Sequence, residues 1–456
     1  MFELVIKNGT IVNPSGRFQG DIGINDRAIE SVSKNLKGEN EIDASGCFVV
    51  PGGVDPHTHL EMQSGELVTS DTFHTGTIAA AHGGTTTIID FVEPEKGVSL
   101  EEGLRQRKKS ANNEAQLDYS FHMTIPGWHA SRGINEREII DLMDSGITSF
   151  KLYQAYEGLR LEDDQLYQTL KTLGSLKALP IIHSENGPLS KTLQAEKLEE
   201  GKVEPRFHAA SKPPLQEAEA VSRAIDIANL ADSPLYVVHV SAKESVHKIQ
   251  KARGQGESIY GETCPQYLLL DKKLLEQTGG EKYICSPPLR EAEDQKALWK
   301  SLNSGVLQVV ATDHAPFTEA EKLSGDDFTQ VPGGLPSIEG RLSFIYNAGV
   351  KSGKISLEKW INVTSTRPAR IFGLEKKGLL APGYDADIVV FDPKVNRVIS
   401  PENLHENVDW SPYGELHVEG WPRTVISKGD ILISEGEYLG QTGIGEFVQR
   451  GASSIY

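Results

Sequence analysis

The chain opens on alternation. In FELVIKNGTIVN, apolar and polar residues change places at nearly every step, the period of a strand with one buried face. Asn8-Gly9 within it is a tight-turn dipeptide and predicts a hairpin at that point. AIESVS and EIDASGCFVV continue the texture, so residues 1–50 read as short strands joined by turns. Comparable strands return only after residue 375, in GLLAPGYDADIVVFDP, RVIS and RTVISKGDILISEGE. Two β-rich ends around a different middle predict one small β-sandwich domain built from 1–50 plus 375–435. The tail, 436–456, is then free to pack on a neighbouring subunit.

The middle, 51–374, follows another rhythm. A strand leads into VVPGGVDPHTHL, and TSDTFHTGTIAAAHGG follows as a helix, with Asp71 near its start and Gly83-Gly84 past its end as capping signals. TTTIIDFVEP is a continuous β-branched run, as expected of a strand buried on both faces. Helical and strand segments then alternate through LDYSFHMTI, ITSFKLYQAY, ALPIIHSEN, PLYVVHVS, SIYGETCPQYL and LQVVATDHAP, making eight strands in all. Parallel strands need a crossover to return, so this pattern predicts an α/β fold, a (β/α)8 TIM barrel with insertions. A doubly wound sheet would carry a Gly-rich phosphate loop after its first strand, where this chain has Asp-Pro-His-Thr-His.

Length and charge narrow the function. The 456 residues exceed what one core usually fills, which fits a large domain plus a smaller one. A formal charge of -18 without any Lys/Arg block argues against nucleic acid or an anionic membrane as partner. No stretch approaches the roughly 20 apolar residues of a membrane span, and the N-terminus is an alternating strand rather than a signal peptide. Cys47, Cys264 and Cys285 are sparse and lack a Cys-x-x-Cys spacing. They read as buried small hydrophobes in a reducing compartment, and the expected location is cytoplasmic.

The chemistry begins at His57 and His59. Positions i and i+2 of an extended segment face the same way, so two imidazoles leaving one strand end can grip one metal ion. His183, His239 and Asp313 sit at the ends of later strands, on the rim where barrel enzymes assemble their sites. Singly, each is explained as a core histidine or a turn cap. Together they would stack polar groups on one rim with nothing to offset their desolvation, unless a metal is bound. Lys151 lies in apolar SFKLY, where burial and nearby cations would favour the neutral amine. A neutral lysine can take up carbon dioxide as a carbamate; from the residues alone, pairing with an acidic side chain is the simpler reading.

GVDPHTHLEM, AAAHGGTTTIIDF, SFKLYQAY, HSENG, VVHVS, GETCPQYL, CSPPLR and ATDHAPF occur in that order. As a set they resemble the hydantoinase and dihydropyrimidinase family, cyclic amidohydrolases of the amidohydrolase superfamily. The resemblance implies a binuclear metal site. His57 and His59 with Asp313 would hold the more buried ion, His183 and His239 the more exposed one, and carboxylated Lys151 would bridge both. Such ligands suit zinc and are also compatible with manganese or iron. The resemblance further implies opening of a cyclic amide ring by a metal-bridging hydroxide, with Asp313 moving the proton and Tyr156 stabilising the oxyanion.

Substrate contacts are implied at Ser286 and at Gly333, where hydantoinases commonly carry Asn. Dihydroorotases place an Arg after the metal pair, whereas this chain has Leu60, Glu61 and Met62, which disfavours an anionic substrate. Met62, Leu67, Tyr153 and Leu159 match positions around the exocyclic group, pointing to an apolar or aromatic substituent. Family members are tetramers or dimers, so a homo-oligomer is expected. Allantoinase is the alternative activity and a non-catalytic scaffold the alternative class, the latter opposed by the complete ligand set. His74, His82, His122, His129, His208, His247, His405 and His417 are assigned no chemistry, and His314 is expected to order the loop after Asp313.

Overall fold

A computed structural model describes residues 1–455. Eight parallel strands form its centre: β1 (Gly53–Thr58), β2 (Thr85–Val92), β3 (Asp118–Thr124), β4 (Ser149–Tyr153), β5 (Leu179–His183), β6 (Leu235–Val237), β7 (Ile259–Thr263) and β8 (Val309–Val310). They hydrogen-bond in sequence order. The ring closes just beyond the strands, where the Asp313 amide donates to the His57 carbonyl (2.9 Å) and the His59 amide to the His314 carbonyl (2.9 Å). β2, β3 and β4 are buried along their whole length, which explains why their sequences show runs rather than alternation.

The helices start and stop on local signals. Ser99 caps Leu100–Ala111 by accepting from the Glu102 amide. Ala292–Ser304 ends at Gly305 in the left-handed conformation, φ 84°. At Phe73–His82, however, the cap is Thr72, whose hydroxyl accepts from the Thr75 amide. Asp71 is instead buried and takes a hydrogen bond from His314 Nε2 (2.9 Å). Between β5 and its crossover helix Pro214–Leu230 the chain inserts two further helices, Gly187–Glu199 and Arg206–Ser211. Among the described residues, no helix is long and apolar enough to cross a membrane.

Both chain ends meet in a nine-stranded, mostly antiparallel sheet. Phe48–Pro51 from the first end pairs with Ile388–Val398 from the second, Val50 opposite Val389. Its core gathers Ile6, Ile11, Ile22, Ile24, Val49, Ile388, Val390 and Ile426, separate from the barrel core. Asn8-Gly9 makes no hairpin. Asn8 takes the left-handed conformation (φ 62°) as a bulge within Phe2–Asn13, and its amide donates to Asp21 Oδ1 (2.9 Å). The chain reverses instead between Asn13 and Gly16.

The tail lies along its own barrel. The Val448 amide donates to the Tyr119 carbonyl (2.7 Å), and buried Arg450 reaches the hydroxyls of Ser120 (3.0 Å) and Ser149 (2.7 Å). Tyr456 is outside the described residues. Sheet and barrel are tied by Lys377, whose ammonium meets Asp118 at the start of β3 (2.7 Å), Asp387 (2.7 Å) and Asp385 (2.9 Å). Burial disfavours its charge, but the three carboxylates hold its pKa above the ordinary lysine value. Replacing Lys377 by Met strips three acids of their shared cation. We expect a loss of about 3–5 kcal/mol, read as a lower urea midpoint.

Candidate active site

The barrel mouth encloses a cavity of about 490 Å³ whose lining includes His57, His59, Lys151, Tyr156, His183, His239, Ser286, Asp313 and Gly333. Every residue singled out for chemistry in the sequence therefore reaches one space. The backbone is bent to put them there: His239 (φ 40°), Asp313 (φ 54°) and Tyr156 (φ 66°) all adopt the left-handed conformation, which ordinary residues rarely hold.

Two groups of ligand atoms form its floor. In the first, Asp313 Oδ1 lies 3.1 Å from His57 Nε2 and 3.3 Å from His59 Nε2, and those two nitrogens are 3.2 Å apart. In the second, His183 Nδ1 is 2.8 Å from His239 Nε2. Two of the remaining ring nitrogens are oriented from behind: His57 Nδ1 by Glu262 (2.5 Å) and His183 Nε2 by Glu185 (3.0 Å). Such carboxylates fix the ring and raise its basicity as a ligand. Neither glutamate was singled out from the sequence, although both stand inside the quoted motifs GETCPQYL and HSENG; Glu185 follows its histidine by two, the same-face spacing.

Electrostatics show what the floor is built for. Burial would lower His57, but the Asp313 and Glu262 carboxylates outweigh both that and the opposing charge of Lys151, raising it to about 9. Burial would raise Asp313, yet His57, His59 and His239 hold it well below the usual carboxylate range. The first group thus holds a cationic His57 against an anionic Asp313, so its carboxylate is ionised and available as a ligand. Burial keeps His183 and His239 neutral, the form that coordinates a metal. His, His and Asp atoms converging on one point fit a metal ion.

Lys151 is buried, and burial lowers its pKa to about 8. The neighbours that act on it, Asp313, Glu262 and Glu93, are anions that oppose the shift, not the cations expected from sequence. Its nitrogen stands 4.8 Å from the Phe91 ring centroid and 5.2 Å from that of Tyr153. Among the described residues, no carboxylate comes within ion-pair distance, so the simpler reading of a paired lysine fails. Its charge acts on His57, His183 and His239 alike, which places it between the two groups.

A model of the amidohydrolase family matches residues 198–432. The chain belongs to that family. It is 43% identical to the D-hydantoinase of Geobacillus stearothermophilus over 98% of this chain and 96% of the relative. It is 42% identical to the D-hydantoinase of Streptomyces coelicolor, covering 98% and 97%. The crystal structure of dihydropyrimidinase from Brevibacillus agri NCHU1002 superposes with a TM-score of 0.94 at 42% identity, covering 99% of each chain. The hydantoinase and dihydropyrimidinase resemblance thus extends over the full length, and this amidohydrolase carries the barrel that the sequence predicts.

The walls are less apolar than expected. Met62, Tyr153 and Leu159 line the cavity, as do Glu93, Gln63 and Gln194. Leu67 does not; it lies on a two-stranded ribbon, Gln63–Ser64 with Leu67–Val68, beside the mouth. Tyr156 is 43% exposed as a residue. Desolvation, followed by the Glu185 charge, pushes the phenol above its ordinary value.

In PGGLP, it is Gly334 that must lack a side chain, since a Cβ there would stand 2.3 Å from the Ala315 carbonyl. At Gly333 a Cβ would come no closer than 3.6 Å to Ser286 Oγ. The two loops carrying Ser286 and Gly333 are fastened by Lys322, whose ammonium donates to the carbonyls of Ile284 (2.7 Å), Pro332 (2.6 Å) and Gly334 (3.1 Å). Burial pulls Lys322 down to about 7, but only the ammonium can serve three acceptors at once. Lys322→Met leaves three buried carbonyls unpaired. We expect a loss of about 3 kcal/mol in a urea melt and a raised KM, because both loops come free.

Proposed function

We propose that this amidohydrolase opens the ring of a cyclic amide or imide, a hydantoin or dihydropyrimidine, at a two-metal centre. The observation that carries the reading is the pair of ligand groups, His57/His59/Asp313 and His183/His239, with an unpaired buried lysine between them. His57, His59 and Asp313 would hold one divalent ion and His183 and His239 the other, with Lys151 as its carbamate shared by both. Zinc fits these nitrogen and carboxylate donors; manganese and iron fit them as well. When bound, the ions acidify water to a nucleophile usable near neutral pH and polarise the amide carbonyl.

The chain's own groups supply the rest. Asp313, held ionised by its histidine neighbours, accepts the proton of the attacking water and returns it to the departing ring nitrogen. Tyr156, kept protonated by burial, donates its hydroxyl to the carbonyl oxygen as negative charge develops there. The backbone at Ser286 and Gly333 faces the ring amide, and the cavity walls exclude water from the reacting carbon. The reading also takes the protein to be a homo-oligomer in the cytoplasm.

Two measurements test it. Protein stripped with a chelator should hydrolyse none of hydantoin, phenylhydantoin, dihydrouracil or allantoin, and should regain ring opening of a hydantoin or dihydropyrimidine on adding zinc or manganese. Absence of turnover by metal-replete protein defeats the proposal, and turnover of allantoin alone replaces it. Asp313→Asn should lower kcat on the order of 10³-fold and Tyr156→Phe about 10²-fold with a smaller change in KM. Native mass spectrometry should find Lys151 heavier by one carbon dioxide. An unmodified lysine in active protein would remove it as the bridge.

A further inference from the structure

We propose that the end of the cavity remote from the ring-binding loops is a cation subsite, in which Glu93 receives a positively charged, hydrogen-bond-donating arm of the substrate. Glu93 follows β2, is partly buried, and lines the cavity. One carboxylate oxygen accepts the Tyr153 hydroxyl (3.0 Å), which sets the orientation of the carboxylate. Among the described residues, the other oxygen meets no donor, and no Lys or Arg lies within ion-pair distance. Lys151 is close enough to feel its charge. On the two-metal reading, to which this inference adds, that lysine becomes an anion, the ions' charge is taken up by their own ligands on the floor, and no Lys or Arg meets the free Glu93 oxygen.

Barrel order says which part of a substrate reaches it. Glu93 after β2 and Tyr153 at the end of β4 flank β3, which stands across a closed eight-strand ring from β7. Ser286 lies beyond β7 and Gly333 beyond β8. A ring held by those two loops therefore turns its exocyclic group toward Glu93. Met62 and Leu159 line the same cavity and offer apolar surface to a methylene chain. An alkyl or aryl end placed there would strip water from a carboxylate with one hydroxyl partner, which is costly. An ammonium or guanidinium end replaces that water with a charge-assisted hydrogen bond. The substrate class is a cyclic amide bearing a linear basic side chain.

The test uses the full-length, metal-replete enzyme and three hydantoins: one with an aminobutyl arm, its pentyl isostere, and a carboxypropyl analogue. Calorimetric Kd and kcat/KM are measured separately. We expect the aminobutyl compound to bind at least about tenfold tighter than the pentyl one, the effect of one charge-assisted hydrogen bond, with the carboxypropyl compound weakest. Glu93→Leu and Glu93→Gln should bring the aminobutyl-to-pentyl ratio to about one or below, and Glu93→Asp should retain part of it. Equal binding of the two isosteres by the unaltered enzyme, or a ratio that survives both neutral variants, overturns the subsite. The preference seen in binding without ring opening upholds the subsite and counts against the hydrolase reading instead.

Discussion

The structure depends on closing the seam between its first and last barrel strands. β8 is only two residues long, so regular pairing cannot hold the ring shut. Buried Asp55 does so by accepting from the Thr312 amide (3.1 Å) and hydroxyl (2.7 Å). Arg341, buried beneath, donates to the carbonyls of Val54 on β1 (3.1 Å) and Val310 on β8 (3.0 Å). The same seam brings His57, His59 and Asp313 together. Barrel closure and ligand geometry are one event, because the backbone that shuts the ring also carries the ligand side chains.

Around that seam the polar groups are arranged in shells. One imidazole of each ligand group is backed by a carboxylate, His57 by Glu262 and His183 by Glu185, and Glu185 is in turn met by Lys212 Nζ (3.2 Å), which also reaches Ser286 Oγ (2.8 Å). The run His239, His183, Glu185, Lys212, Ser286 links the floor to the loop that carries Ser286. Buried charge of this kind survives only where each member finds its partner. Lys151 breaks the pattern: it is buried against aromatic faces, and among the described residues no acid comes within ion-pair distance of it.

The floor and the walls answer to different constraints. The floor rests on strand ends, where the barrel fixes positions closely. The walls come from loops and from the inserted helices Gly187–Glu199 and Arg206–Ser211, so their chemistry varies while the fold stays constant. His208, one of the histidines read as ordinary, lines the wall with its Nε2 on the Cys285 carbonyl (2.8 Å), and burial keeps it neutral, near 3. It braces the Ser286 loop at Cys285, next to the Ile284 carbonyl that Lys322 holds.

Much of this was legible in order along the chain. The alternation of buried strand runs with capped helices is a local property, and it sufficed for the barrel; His-x-His at a strand end, and polar residues closing later apolar runs, sufficed for the floor. Local signals misled where a distant partner intervened: Asn8-Gly9 became a bulge because Asp21 holds its amide, and Asp71 left the helix cap to Thr72 because His314 claims it. The orienting Glu262, the fastening Lys322 and the free carboxylate of Glu93 were not legible, since each differs from an ordinary surface charge only by what stands beside it. Sequence fixes which groups lie near one another along the chain. Only the tertiary structure decides which charges lose their water and which partners replace it, because residues hundreds of positions apart, such as Asp55 and Thr312, meet only once the ring has closed.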